Sequence, residues 1–157
     1  MRPATRQDVR HICETMWERG RIELSYWPTP SGLGVSPADW LHSWKTRIAR
    51  DDAVAFGPEG KPHAILGWDW ESENVCNTSF QASRSFEEGA GRAVTKEIRR
   101  AIPGLMQQCG AEMFNTYSLC VVPEAAKWCR LLGLTEDAQY RGPHCGPFCL
   151  RRFVYMV

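Results

Sequence analysis

The sequence contains no run of about 18 apolar residues, so it holds no candidate membrane-spanning helix. It has almost no net charge: 19 basic residues stand against 18 acidic ones, a balance of +1. Such a chain has no bulk attraction to nucleic acid or to anionic lipid. The seven cysteines, Cys13, Cys76, Cys109, Cys120, Cys129, Cys145 and Cys149, include no Cys-x-x-Cys pair. Their odd number, with a polar MRPATRQDVR start and no apolar leader segment, argues against a disulfide framework. They are expected to be free thiols acting as small buried hydrophobes in a cytoplasmic protein. Internal repeats and low-complexity blocks are missing too. Glycine and proline together make 23 of 157 residues, and 43% of the chain is hydrophobic. That excludes collagen-like and disordered classes. The length is that of one domain, residues 1–157, able to bury roughly two-thirds of its unfolded surface.

What is present is a series of periodic segments. Arg2 to Ala4 reads as a short strand. Val9, Ile12, Cys13, Met16 and Trp17 recur at helical spacing and predict an amphipathic helix over about 6–20. A loop with Tyr26, Trp27 and two prolines follows. Ser36-Pro37 is a helix start, serine at the N-cap and proline in the first turn, with Trp40, Trp44 and Ile48 on one face to about residue 50. Strands are expected over 52–57, 64–71 and 75–82. A long helix starts near Phe86, and Pro103-Gly104 should kink or break it. Residues 113–121 read as a strand, Pro123 opens a helix that Gly133 closes, and 137–141 and 148–156 read as the last two strands.

Two small clusters merit weighing. Arg141, His144, Arg151 and Arg152 form either a local basic patch or a solvated hairpin edge. His144, Cys145 and Cys149 offer soft metal ligands but no second knuckle, so no metal is expected.

The element order β-α-α-β-β-β-α-β-α-β-β resembles that of the GNAT superfamily, the Gcn5-related acyl-CoA N-acyltransferases. Three stretches carry the resemblance: RPATRQDV at the start, GAGRAVTKEI (Gly89 to Ile98), and PEAAKWCRLLGL (Pro123 to Leu134). A fainter resemblance is to small GNAT-like proteins of bacteriophages. The fold so implied is a mixed, mostly antiparallel sheet of six to seven strands with about four helices. The resemblance also implies acetyl-CoA as co-substrate. Its pyrophosphate would meet the N-terminus of the long helix at Gly89, Ala90, Gly91 and Arg92, with Arg84 or Arg92 as counter-ion. The strand end Gln81, Ala82 and Ser83 would polarise the thioester.

The sequence departs from the family pattern at named places. Phe86 stands where the family has Gln or Arg, and Glu87 and Glu88 precede the glycines, where they would repel phosphate. Ser85 to Glu88 also fits a capping box, so the segment reads either as an anion-binding turn or as a self-capped helix. The family's acid, a tyrosine, falls on Cys129; that thiol is either the acid or core, and Tyr117 is a substitute. Glu71 is the candidate base, with Asp69 and Glu73 beside it, or all three are ordinary surface carboxylates.

Trp27, Trp40 and Trp44 either line an acceptor or partner face or fill core. Two functions follow: acetyl transfer from acetyl-CoA to an amine on a small molecule or protein, or a catalytically inactive GNAT-like protein that binds and modulates another protein, such as a phage protein acting on a host enzyme.

Overall fold

The first helix forms because Thr5 caps it. In the computed structural model, which describes residues 1–29, 32–140, 142 and 149–156, the Thr5 hydroxyl accepts from the Asp8 N–H and the Asp8 carboxylate accepts from the Thr5 N–H. This reciprocal cap starts α1 (Arg6–Thr15), which buries Val9 and Ile12. Asp8 itself is fully buried and also accepts from both Arg2 guanidinium nitrogens, at 2.6 and 2.7 Å, and from the Gly60 N–H.

The expected helix over 6–20 is two helices. Met16 leaves the helical conformation and makes an isolated bridge to Ser83, and α2 (Glu18–Tyr26) starts afresh. The reason is tertiary: the Trp17 N–H is drawn to the carbonyl of Ala82. The loop after α2 holds a two-stranded hairpin, β2 (Pro28–Thr29) with β3 (Gly32–Leu33). Ser36 caps α3 (Pro37–Ala49) as expected, accepting from the Asp39 N–H.

The main sheet has seven strands in the order β1-β4-β5-β6-β7-β9-β8: β1 (Arg2–Pro3), β4 (Ala53–Phe56), β5 (Ala64–Ser72), β6 (Val75–Ala82), β7 (Met113–Leu119), β8 (Thr135–Glu136) and β9 (Leu150–Met156). Every pairing is antiparallel except β6 with β7. The strand expected over 137–141 is instead the two-residue β8, because Asp137 turns away to accept from Arg152 and from the Gln139 N–H. α4 (Gly91–Cys109) runs straight through Pro103 and ends at the left-handed Gly110. Proline costs about 3 kcal/mol inside a helix. Ile98, Ile102, Leu105 and Met106 on the buried face outweigh it. α5 (Pro123–Leu131) follows β7. The described residues thus hold five helices where four were expected.

α3 lies on one face of the sheet. A side chain at Gly67 would collide with Trp44 and Arg47, so glycine admits them. α5 lies on the other, with Trp128 against Phe80. Cys120, just after β7, and Cys149, just before β9, form a disulfide. This corrects the expectation that all thiols are free. Strand pairing across the sheet brings the two residues together, and spacing along the chain does not show it. Cys13, Cys76, Cys109 and Cys129 are free.

Candidate active site

β6 and β7 pair only as far as Thr78 and Thr116. Beyond that they splay, and the wedge between them passes from one face of the sheet to the other. On the β5 side, the ladder makes Ile65–Gln81 and His63–Ser83 the pairs that exchange hydrogen bonds, since the Ser83 N–H donates to His63. By antiparallel alternation the N–H and C=O of Phe80 and Ala82 therefore point toward the edge that β7 leaves. Trp17 covers that edge at Ala82. Phe80 is left with its N–H facing the wedge. Of the strand end named from sequence, Ser83 has its N–H on His63, Ala82 is sealed under Met16–Trp17, and Gln81 brings its side chain rather than its N–H.

The wedge encloses a cavity of about 280 Å³, reached by Trp27, Trp40 and Trp44 from one face and by Trp128 and Cys129 from the other. Three of its lining side chains carry buried polar atoms without a hydrogen-bond partner: Glu23 Oε1, Gln81 Oε1 and Ser118 Oγ. Gln81 is 8% exposed and Ser118 1%. Burial pushes the Glu23 carboxyl up to about 7, although the Leu119 N–H directed at it favours the charged form.

Glu23 was missed in the sequence because α2 has a weak amphipathic pattern. The available signal was Gly20, Glu23, Leu24 and Trp27 at i, i+3, i+4 and i+7. Gly20 has no room for a side chain, since a Cβ there would meet the Trp17 ring and Gln81 Oε1.

Of the carboxylates named from sequence, Asp69 is raised by burial but held below its ordinary range by hydrogen bonds from Arg47 and Arg50, which ties it up as an ion-pair partner. Glu73 sits in the exposed turn between β5 and β6. Glu71 accepts from Asn115 Nδ2 at 2.8 Å and lines a second, open groove with Trp27, Leu33, Asn77, Tyr117 and Tyr140. Burial and then Glu71 push the Tyr117 hydroxyl up, partly offset by Arg152. Burial and then Glu23 push the Cys129 thiol up to about 12. Trp40 and Trp44 are buried between α3 and the sheet, Trp27 is half-buried, and all three line the cavity.

At the start of α4 no capping box forms. Ser85 is already helical in its backbone, and its hydroxyl meets Ser83 and His63 instead. Phe86–Ala90 makes one wide turn with Gly89 at φ 147°, a left-handed conformation with open space where a side chain would be. Gly91 is different: a Cβ there would sit 2.7 Å from the Phe86 carbonyl. Glu87 reaches Arg19 at 3.7 Å, and Glu88, Arg84 and Arg92 are exposed.

The basic cluster dissolves in part, since Arg151 pairs with Glu136 and Arg152 with Asp137. Arg141, His144 and Cys145 lie outside the described residues, and Cys149 is in the disulfide. Among the described residues no group of three metal-ligating side chains is found, and no helix is long and apolar enough to cross a membrane.

No family model matches the chain, and no curated protein does. Solved structures do. A putative acetyltransferase, yncA, from Salmonella typhimurium, solved with acetyl-CoA, superposes with a TM-score of 0.69 at 14% identity, covering 99% of this chain and 91% of that one. The GNAT domain of the S. lividans protein PAT gives 0.68 at 14%, covering 99% and 89%. A spermidine N-acetyltransferase from Vibrio cholerae gives 0.64 at 13%, covering 99% and 93%. At these identities the likeness shows the fold, which is that of the GNAT acetyltransferases.

Proposed function

We propose that the chain is an acyl-CoA-dependent N-acyltransferase that takes its amine acceptor into the wedge between β6 and β7. The observation that carries this reading is the set of three unpartnered buried acceptor atoms, on Glu23, Gln81 and Ser118, around one cavity. Such atoms cost free energy until a donor reaches them, and an amine is a donor. Glu23 is the base. With its proton affinity raised to about 7, it is close to half ionised at neutral pH and can take a proton from a bound ammonium.

The residues also fit acetyl-CoA. The open turn at Gly89 and the main chain of Ala90, Gly91 and Arg92 would meet its phosphates, with Arg84 and Arg92 as counter-ions and Glu87 partly neutralised by Arg19. Bound there, it supplies an acyl group activated as a thioester. The Phe80 N–H is placed to polarise a carbonyl in the wedge, the role that sequence alone gave to Gln81, Ala82 and Ser83. Tyr117, which lines both the wedge cavity and the groove, returns the proton in this reading, while burial and Glu23 push the Cys129 thiol up to about 12. Glu71, the base expected from sequence, becomes an acceptor-side anchor.

The second reading, an inactive fold kept to bind another protein as in the phage proteins the sequence resembles, draws on the Phe80–Trp128 ring contact on the α5 side of the wedge. Calorimetric titration of acetyl-CoA, with free CoA alongside, separates the two. Micromolar binding, followed by amine-dependent release of CoA thiol that disappears in Glu23→Gln, supports the transferase. Silence up to millimolar acetyl-CoA leaves the binding protein.

A further inference from the structure

The antiparallel register of β7 and β9 sets Arg152 directly opposite Tyr117. In the same register the Cys120 N–H donates to Cys149, so alternation makes Tyr117 and Arg152 a pair that exchanges no main-chain hydrogen bond. In such a pair the Cα atoms stand about 4.5 Å apart and the side chains leave one face together. The Arg152 carbonyl turns the other way and accepts from the Asp137 N–H. The guanidinium is held on two sides. Asp137 Oδ2 accepts from Nε at 2.9 Å and also from Nη2. The Tyr140 ring centroid lies 5.0 Å from Cζ, and a side chain at Gly142 would collide with that ring. The same guanidinium reaches the Tyr117 hydroxyl. Arginine has donors only and keeps its charge throughout the working pH range. It therefore donates to the phenol oxygen, and the phenol's own proton points elsewhere. Tyr117 borders both the wedge cavity and the open groove.

We propose that Arg152 is a positioning residue for the acid step: held by Asp137 and Tyr140, it turns the Tyr117 proton away from itself and steadies the charge left on the phenol oxygen. This deepens the N-acyltransferase reading and rests on its use of Tyr117 as the acid. The other titratable groups beside the hydroxyl are Glu71 on β5 and Tyr140 after β8, while Glu23, Arg47 and Cys129 share the cavity wall. Burial, Glu71 and Tyr140, in that order, strengthen the phenol's hold on its proton, and Arg152 opposes them. An ordinary tyrosine, at about 10, is already a weaker acid than an ordinary thiol, at about 8.5. A fixed cation beside the oxygen lowers the cost of giving the proton up. In the step the Tyr117 O–H bond breaks and an S–H bond forms on the departing sulfur. Solvent in the groove then returns a proton to the phenolate.

The test is an alkaline titration of phenolate absorbance on the protein without acyl donor, with the Tyr117→Phe curve subtracted so that Tyr117 alone is read. Arg152→Gln should raise the Tyr117 midpoint by about one pH unit, or about tenfold in proton affinity. Arg152→Lys should give back at least half of that shift, since it restores the charge without the fork. Arg152→Met keeps the packing against Tyr140 and takes the place of the glutamine variant should that not fold. With acetyl-CoA and amine, Arg152→Gln should slow release of CoA thiol roughly threefold at neutral pH and move the alkaline limb up with the midpoint. Adding Arg152→Gln to Tyr117→Phe should slow it no further. An unmoved midpoint, a lysine variant no better than glutamine, or an equal rate loss with and without Tyr117 would each overturn the assignment. The acyltransferase reading fails separately, by lack of acetyl-CoA binding with the midpoint shift intact. Transfer with an unmoved midpoint removes only the role of Arg152.

Discussion

The rings of Phe80 on β6 and Trp128 on α5 meet with centroids 4.1 Å apart, and the Trp128 indole N–H donates to Thr95 on α4 at 2.9 Å. Three elements are thereby joined on the α5 side of the gap that β6 and β7 leave open. Trp17 and Phe86 pack edge-on against the same Phe80 ring. Trp128→Ala removes the contact. We expect it to lower stability by about 2 kcal/mol, read by thermal denaturation. A loss below about 0.5 kcal/mol would mean that α4 and α5 dock on β6 without this contact.

Glu23 should leave its mark on pH dependence. Burial raises its carboxyl to about 7 from an ordinary value of 4.5. The native state then holds a proton that the unfolded state has released, so stability falls as pH rises from about 4.5 to about 7. The fall is on the order of 3 kcal/mol. Glu23→Gln should flatten that part of the profile in denaturant titrations at several pH values. The same variant should abolish an activity limb that rises near pH 7.

The buried Asp8 works in the opposite direction. Burial raises it, but hydrogen bonds from Arg2, Thr5 and Gly60 more than offset this and hold it at about 2. Its contribution is complete above its ordinary value of 3.8 and is lost as pH falls toward 2. Asp8→Asn breaks the Arg2 pair and half of the α1 cap, and should cost on the order of 3 kcal/mol at pH 7. A cost below 1 kcal/mol would mean that β1 and α1 dock without it.

The two glycines before α4 should separate. Gly91→Ala drives a methyl against the Phe86 carbonyl and should cost about 1–3 kcal/mol. Gly89→Ala meets no neighbour, and only its left-handed backbone resists, at about 1–2 kcal/mol. Arg92→Glu reports on anion binding more cleanly than either glycine. It should weaken acetyl-CoA at least tenfold at low salt with little change in melting temperature.

Reduction of the Cys120–Cys149 bridge, which closes a separation of 29 residues, should destabilise the chain by about 3–4 kcal/mol in the loop-entropy account. Comparing the wild type with Cys120→Ser, each with and without reductant, checks this. A wild type indifferent to reductant would refute it.

The periodicity of hydrophobic residues was enough to place α1, α3, α4 and α5 and the strands β4 to β7, because each buries one regular face and that regularity is written in spacing. The same patterns, taken in order, supported the resemblance to the GNAT fold. The candidate site was legible only in part. Cys129 lines the wedge cavity, Glu71 the neighbouring groove and Tyr117 both, and Gly89 does take a conformation that suits glycine.

Other features follow from contacts between distant segments. α2 was hidden because its only buried residue is Gly20. The break at Met16 comes from the edge of β6, some 66 residues away in the chain. The ionisation of Glu23 depends on enclosure by β7 and α5, and the disulfide on the pairing of β7 with β9. Local spacing fixes which face a residue turns. It does not fix what that face will meet, and burial, orphaned polar atoms and shifted proton affinities are all properties of the meeting.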